Sequence, residues 1–197
     1  MAIITCIPTR GLVHSRTIED VLKNTDEPIL FAHGLPVPEA NNDVTRRALE
    51  LNPSHIWFVD DDMALPEGIL QELIAADTDI ALADYPVCKD IPTAHFRDGE
   101  FLYGGLGCVL VKADVLHALG EPYFSTAVRY SFKNLEPARV KHPYKEHGLH
   151  DVHFFRQTIA RGAEVKVIET TVGQYHFPAA PRPKGNDTGY EVEEWRL

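Results

Sequence analysis

Short apolar runs alternate with segments of helical periodicity from residue 2 to residue 84, and that alternation restricts the fold to one class. The runs at 2–7, 28–33, 56–59 and 80–83 have strand length. The segments at 15–24, 42–51 and 66–76 read as helices, with Ile18, Val21 and Leu22 at helical spacing in the first. Strands alternating with helices pack into a largely parallel sheet, so the pattern predicts an α/β architecture. Asn41 or Asn42 is the expected cap of the second helix, and Pro66 suits the first turn of the third, where a missing N–H is no loss. Ligands of such sheets gather beyond the carboxyl ends of the strands. Pro8-Thr9-Arg10 and Asp60-Asp61-Asp62 both stand at that position.

The pattern changes after residue 84. Residues 93–101 and 106–111 read as a strand pair around a glycine-rich bend, and a helix is expected at 113–119. A polar, aromatic loop then runs over 122–144, followed by a helix at 151–161 and a strand at 164–168. From Phe177 the chain is rich in proline, glycine and charge. The expected organisation is one domain over 1–177 and a flexible tail over 178–197.

A chain of 197 residues with 44% apolar and 24% charged residues is long enough to bury a core without disulfides. Acidic residues exceed basic ones for a net charge of −10, which disfavours a generic grip on nucleic acid. Cys6, Cys88 and Cys108 are far apart and form no zinc-like pattern, so they read as buried thiols of a reducing compartment. No apolar segment reaches membrane-spanning length, and the expectation is a cytoplasmic protein.

Three adjacent carboxylates at a strand end repel one another, and a divalent cation or solvent must absorb that repulsion. Aspartates also start turns and cap helices, so the triplet alone leaves both roles open.

Four segments in fixed order carry a resemblance: Cys6-Ile7-Pro8-Thr9-Arg10, Asn41-Asn42-Asp43-Val44-Thr45-Arg46-Arg47, Val59-Asp60-Asp61-Asp62-Met63, and Gly148-Leu149-His150-Asp151 with Arg161-Gly162 and His176 downstream. The chain resembles the GT-A-fold, nucleotide-sugar-dependent glycosyltransferases of the inverting, family-2-like group, over roughly residues 2–177. The resemblance implies a single Rossmann-like GT-A domain with a mostly parallel sheet and a small antiparallel strand pair near the acceptor side. It also implies a hexosyltransferase-like enzyme with a nucleotide-sugar donor, a UDP-sugar, and an acceptor hydroxyl that the sequence does not identify.

By that resemblance Pro8, Thr9 and Arg10 hold the base and ribose, while Asn41 and Arg46 stand beside the nucleotide. Asp60 and Asp62 form the DxD motif: Asp62 is the direct metal ligand, and Asp60 faces the ribose or the metal. Mn²⁺ or Mg²⁺ is the implied ion, with His176 joining it or the diphosphate. Asp151 matches the general base, whereas His150 replaces the more common Glu. Gly105, in Gly104-Gly105-Leu106-Gly107, matches a place where backbone approaches the donor sugar; a tight bend between strands is the other reading. Arg182 and Lys184 are candidates to fold over the diphosphate. Asp84 and Lys89 are weaker contacts for sugar or phosphate, and His142, His147, His150 and His153 define no closed zinc site.

Two rival functions remain at this stage. A nucleotidyltransferase also combines a nucleotide, a metal and an α/β sheet, but its loop after the first strand is richer in glycine than Pro8-Thr9-Arg10-Gly11. A non-catalytic nucleotide-sugar or carbohydrate-binding module would bind the donor without turnover.

Overall fold

The structure is a computed structural model that describes residues 1–9, 11–88, 91–128, 130–131, 146–147 and 150–175. Arg10, Lys89, His142, His176, Arg182, Lys184 and the tail at 178–197 lie outside the described residues. The first half follows the predicted alternation: β1 (Ile3–Thr9), α1 (Ser15–Asn24), β2 (Ile29–His33), α2 (Val37–Leu49), β3 (His55–Val59), α3 (Ile69–Ala75) and β4 (Ile80–Asp84). β5 (Cys108–Lys112), α4 (Ala113–Leu119), α5 (His150–Ile159) and β6 (Val165–Glu169) complete the main frame.

The central sheet has six strands in the order β6-β4-β5-β3-β1-β2. β1 is parallel to β2 and β3, and β6 is parallel to β4, whereas β5 runs antiparallel to both of its neighbours. This is an α/β protein with a mostly parallel sheet and, apart from it, short antiparallel strand pairs.

The pleat sends alternate residues of β1 to opposite faces. Ile3 and Ile7 join Trp57, Val59, Val21, Ile69 and Leu73 on one face, whereas Ile4 and Cys6 join Ile56, Phe58, Val44, Ala48, Phe154 and Phe155 on the other. Both faces are therefore covered by helices, as the apolar runs require. Cys6 and Cys108 are buried free thiols within these two layers. Among the described residues, no helix is long and apolar enough to cross a membrane.

Two local expectations are corrected. The second helix starts at Val37 rather than near Asn42, because Pro36 and Pro38 fit a helix start that lacks intrahelical N–H partners anyway. Asn41 and Asn42 are consequently not caps, and Pro66 likewise stands before α3, whose cap is Gly68, rather than in its first turn. Asn42 instead ties α2 to Phe124, donating to its carbonyl at 2.8 Å and accepting from its amide at 3.0 Å.

The second correction concerns the strand pair. Residues 93–101 and 106–111 do not pair; His95–Arg97 pairs with Glu100–Tyr103, and Cys108–Lys112 enters the central sheet. The hairpin turns at Asp98-Gly99, both with positive φ (53° and 84°), the backbone that a tight two-residue turn demands.

Candidate functional site

The chain passes from β1 to β2 on one side, then returns to place β3 on the other side of β1. Strand order thus reverses at the β1/β3 boundary, and ligands of open α/β sheets gather beyond the carboxyl ends of the strands at such a point. A pocket of about 180 Å³ opens there, lined by Pro8, Thr9, Val37, Ala40, Asp60, Asp61, Asp62 and Gln174. Four sequence-predicted site residues meet in it: Pro8, Thr9, Asp60 and Asp62. Val37, Ala40 and Gln174 were not among the sequence candidates.

Each wall has a local cause. The Thr9 hydroxyl donates to the Leu12 carbonyl at 2.8 Å and accepts from the Gly11 amide at 3.0 Å, so the side chain shapes the turn that ends β1. Behind the aspartates, the Asp60 amide donates to the Gly107 carbonyl at 3.1 Å, extending the β3–β5 ladder to the loop. The loop is then gripped from two sides: the His14 amide donates to the Asp61 carbonyl at 2.8 Å, and the Tyr175 amide to the Asp62 carbonyl at 2.6 Å. Gly173–Gln174 pairs antiparallel with Met63–Ala64, which brings Gln174 to the pocket.

The glycine-rich segment acts through close packing. A Cβ on Gly105 would lie 2.7 Å from the Tyr85 hydroxyl, and one on Gly107 would lie 2.7 Å from Met63 Sδ. The Gly107 amide donates to the buried Tyr85 hydroxyl at 3.2 Å. These glycines therefore let β5 approach Tyr85 and the aspartate strand.

The electrostatics single out Asp60. Burial pushes its carboxyl up to about 7, with further upward pressure from Asp62, Asp61 and Asp151. Asp151, at the start of α5, thus lies within electrostatic reach of the triplet although it comes from a distant part of the chain. Burial raises Tyr103 as well, helped by Asp151. One Asp151 oxygen accepts from the Val152 amide at 2.8 Å. His150 is lowered by burial, an effect that Asp151 partly opposes.

Other candidates are engaged elsewhere. Asn41 is buried and donates to the Val37 carbonyl at 3.2 Å, within its own helix. Arg46 lies exposed on α2 and pairs with Asp43 and, at 3.5 Å, with Glu50. Asp84 accepts from the Thr93 hydroxyl at 3.0 Å and the Ala94 amide at 2.9 Å, so it anchors the segment that leads to the hairpin.

The donor chemistry fits a hard divalent ion: the pocket offers carboxylate oxygens, and its described lining contains no lysine, arginine or histidine. Among the described residues no three His, Cys, Asp or Glu side chains form a ready metal cluster. Mg²⁺-type sites need none, since one or two carboxylates complete their coordination with substrate phosphates and water.

No family model matches the chain, and no curated protein matches it. Solved structures do. A197 from STIV aligns at 16% identity with a TM-score of 0.62, covering 100% of this chain and 96% of that one. 4-Diphosphocytidyl-2C-methyl-D-erythritol synthase from Anaerococcus prevotii DSM 20548 aligns at 12% identity and TM-score 0.47, covering 85% and 87%. A protein named as a nucleotide-diphospho-sugar transferase, from Desulfovibrio desulfuricans G20, aligns at 9% identity and TM-score 0.44, covering 86% and 80%. The likeness to A197 is one of fold over the whole chain, and the other two are too distant to add to it.

Proposed function

We propose that this chain is a metal-dependent inverting glycosyltransferase that moves a sugar from a nucleotide-sugar donor, a UDP-sugar, to an acceptor hydroxyl. The observation that carries the reading is the convergence of Pro8, Thr9 and the three aspartates at the β1/β3 switch point, with Asp151 in electrostatic reach.

In this reading Asp62 and Asp60, with His176, hold Mn²⁺ or Mg²⁺. The ion supplies neutralisation of the charge that builds on the departing nucleoside diphosphate. Pro8, Thr9 and Arg10 contact the base and ribose. Gly105 borders the donor sugar, and Arg182 and Lys184 fold over the diphosphate. Asp151 accepts the proton of the acceptor hydroxyl as that oxygen bonds to the anomeric carbon. The bond to the diphosphate oxygen breaks on the opposite face, and its electron pair leaves with the diphosphate.

The test is UDP release from UDP-sugars with Mn²⁺, water serving as acceptor where no hydroxyl acceptor is known. Asp151→Asn should lower turnover by about 10²–10⁴-fold with donor binding kept, the usual worth of a positioned base. Asp62→Ala should lose donor binding itself. Full activity in both variants contradicts the assignment, and pyrophosphate release from a nucleoside triphosphate would favour a nucleotidyltransferase instead.

A further inference from the structure

The strand pair that closes the pocket is only two residues long on each side, Gly173–Gln174 against Met63–Ala64. So short a ladder is marginal without side-chain support. The support converges on Tyr175. Its amide grips the Asp62 carbonyl at 2.6 Å, and its hydroxyl donates to Asp20 Oδ2 at 2.7 Å. The same Oδ2 accepts from the Leu65 amide at 3.2 Å, just past the aspartates. The Tyr175 ring stacks on His14 at 4.6 Å, and the His14 amide holds Asp61. Arg16 lies over the same ring at 5.8 Å.

One residue, through its amide and its side chain, therefore joins α1, the aspartate loop and the segment that supplies Gln174. We infer that Tyr175 is a positioning residue: its bond to Asp20 fixes the aspartate loop so that its carboxylates meet cation and diphosphate together. The inference rests on the reading of that loop as a cation and donor site. Tyr175 touches no reacting atom in this account. It acts through the backbone of Asp62 and, across its stacked ring, of Asp61.

Tyr175→Phe removes only the hydroxyl and keeps the ring. In the full chain it should weaken Mn²⁺-dependent UDP binding about tenfold, as expected for losing one hydrogen bond to a charged group. The donor KM should rise with it while kcat changes little. Amide exchange at Leu65 and His14 should quicken, with β1 and β3 unchanged. Asp20→Asn should act on the same step, so the double variant should be no worse than the more affected single one. Wild-type binding in Tyr175→Phe, unaltered exchange at Leu65, or additive single effects would overturn the inference alone. A wild type that binds neither Mn²⁺ nor UDP would instead overturn the functional reading and this inference with it.

Discussion

Two acidic regions at opposite ends of the sheet differ in how their charge is answered. Asp79 stands just before β4, where one oxygen accepts from the Glu164 amide at 3.1 Å and the other from Lys112 at 3.3 Å. The Glu164 amide lowers its pKa; slight burial opposes this, and Lys112 adds to the lowering. The cavity beside it, about 220 Å³ and lined by Asp79, Asp114 and Arg161, exceeds the 180 Å³ pocket at the aspartate triplet. Asp60, by contrast, is pushed up to about 7 by burial and by neighbouring carboxylates. A carboxylate answered by protein donors holds the fold together, whereas the proposed function assigns the one crowded by its own kind to an external cation.

The strongest way to break this contrast is Asp60→Asn. Cation-dependent turnover should fall by about 10–100-fold or more, the range seen when a metal's supporting groups are lost. In chelator the same change should raise the melting temperature. A carboxyl raised from 3.8 to about 7 in the fold binds protons that the unfolded chain has released, so wild-type stability falls as pH rises through that window. The variant should lack this decline. A variant that is less stable in chelator would show that Asp60 is answered after all.

Gly107→Ala probes the packing behind the loop. The added Cβ meets Tyr85 and Met63 Sδ, so destabilisation of up to about 3 kcal/mol is expected by denaturant unfolding.

Asp20→Asn sharpens the contrast from the answered side. Burial raises this carboxyl, but bonds from Lys23, Tyr175 and the Leu65 amide outweigh it and hold the pKa below 3.8. The loss should be about 1.5 kcal/mol at neutral pH. Because the folded value is the lower one, this stability is complete above 3.8 and disappears as pH falls through the folded value; wild type and variant should converge there. Asp79→Asn is the smallest effect. Asp79 and Lys112 are each 35% exposed, so the cost should stay within about 1 kcal/mol, with cation-dependent binding unchanged.

The parallel half of the fold was legible because each apolar run had to be buried on both faces and each amphipathic segment on one. β5 was not, because its antiparallel place between β3 and β4 depends on partners distant in sequence, and Asp98-Gly99 took the turn expected of the later glycines. At the site, Pro8, Thr9 and the aspartates were readable from their position at strand ends. Val37 and Ala40 reach the pocket only because prolines move the start of α2 forward. Gln174 arrives through a two-residue ladder that leaves no periodic signal. The carboxylates at 60–62 and Asp151 drew notice by residue type and order, but their mutual field needed the folded chain.

The central claim is that the aspartate loop binds a divalent cation on behalf of a nucleoside diphosphate. Calorimetric titration of UDP into wild type and Asp62→Ala, each with Mn²⁺ and with chelator, tests it most directly. Binding seen only in wild type with Mn²⁺ is the predicted result; UDP binding that ignores both the cation and the substitution would contradict it.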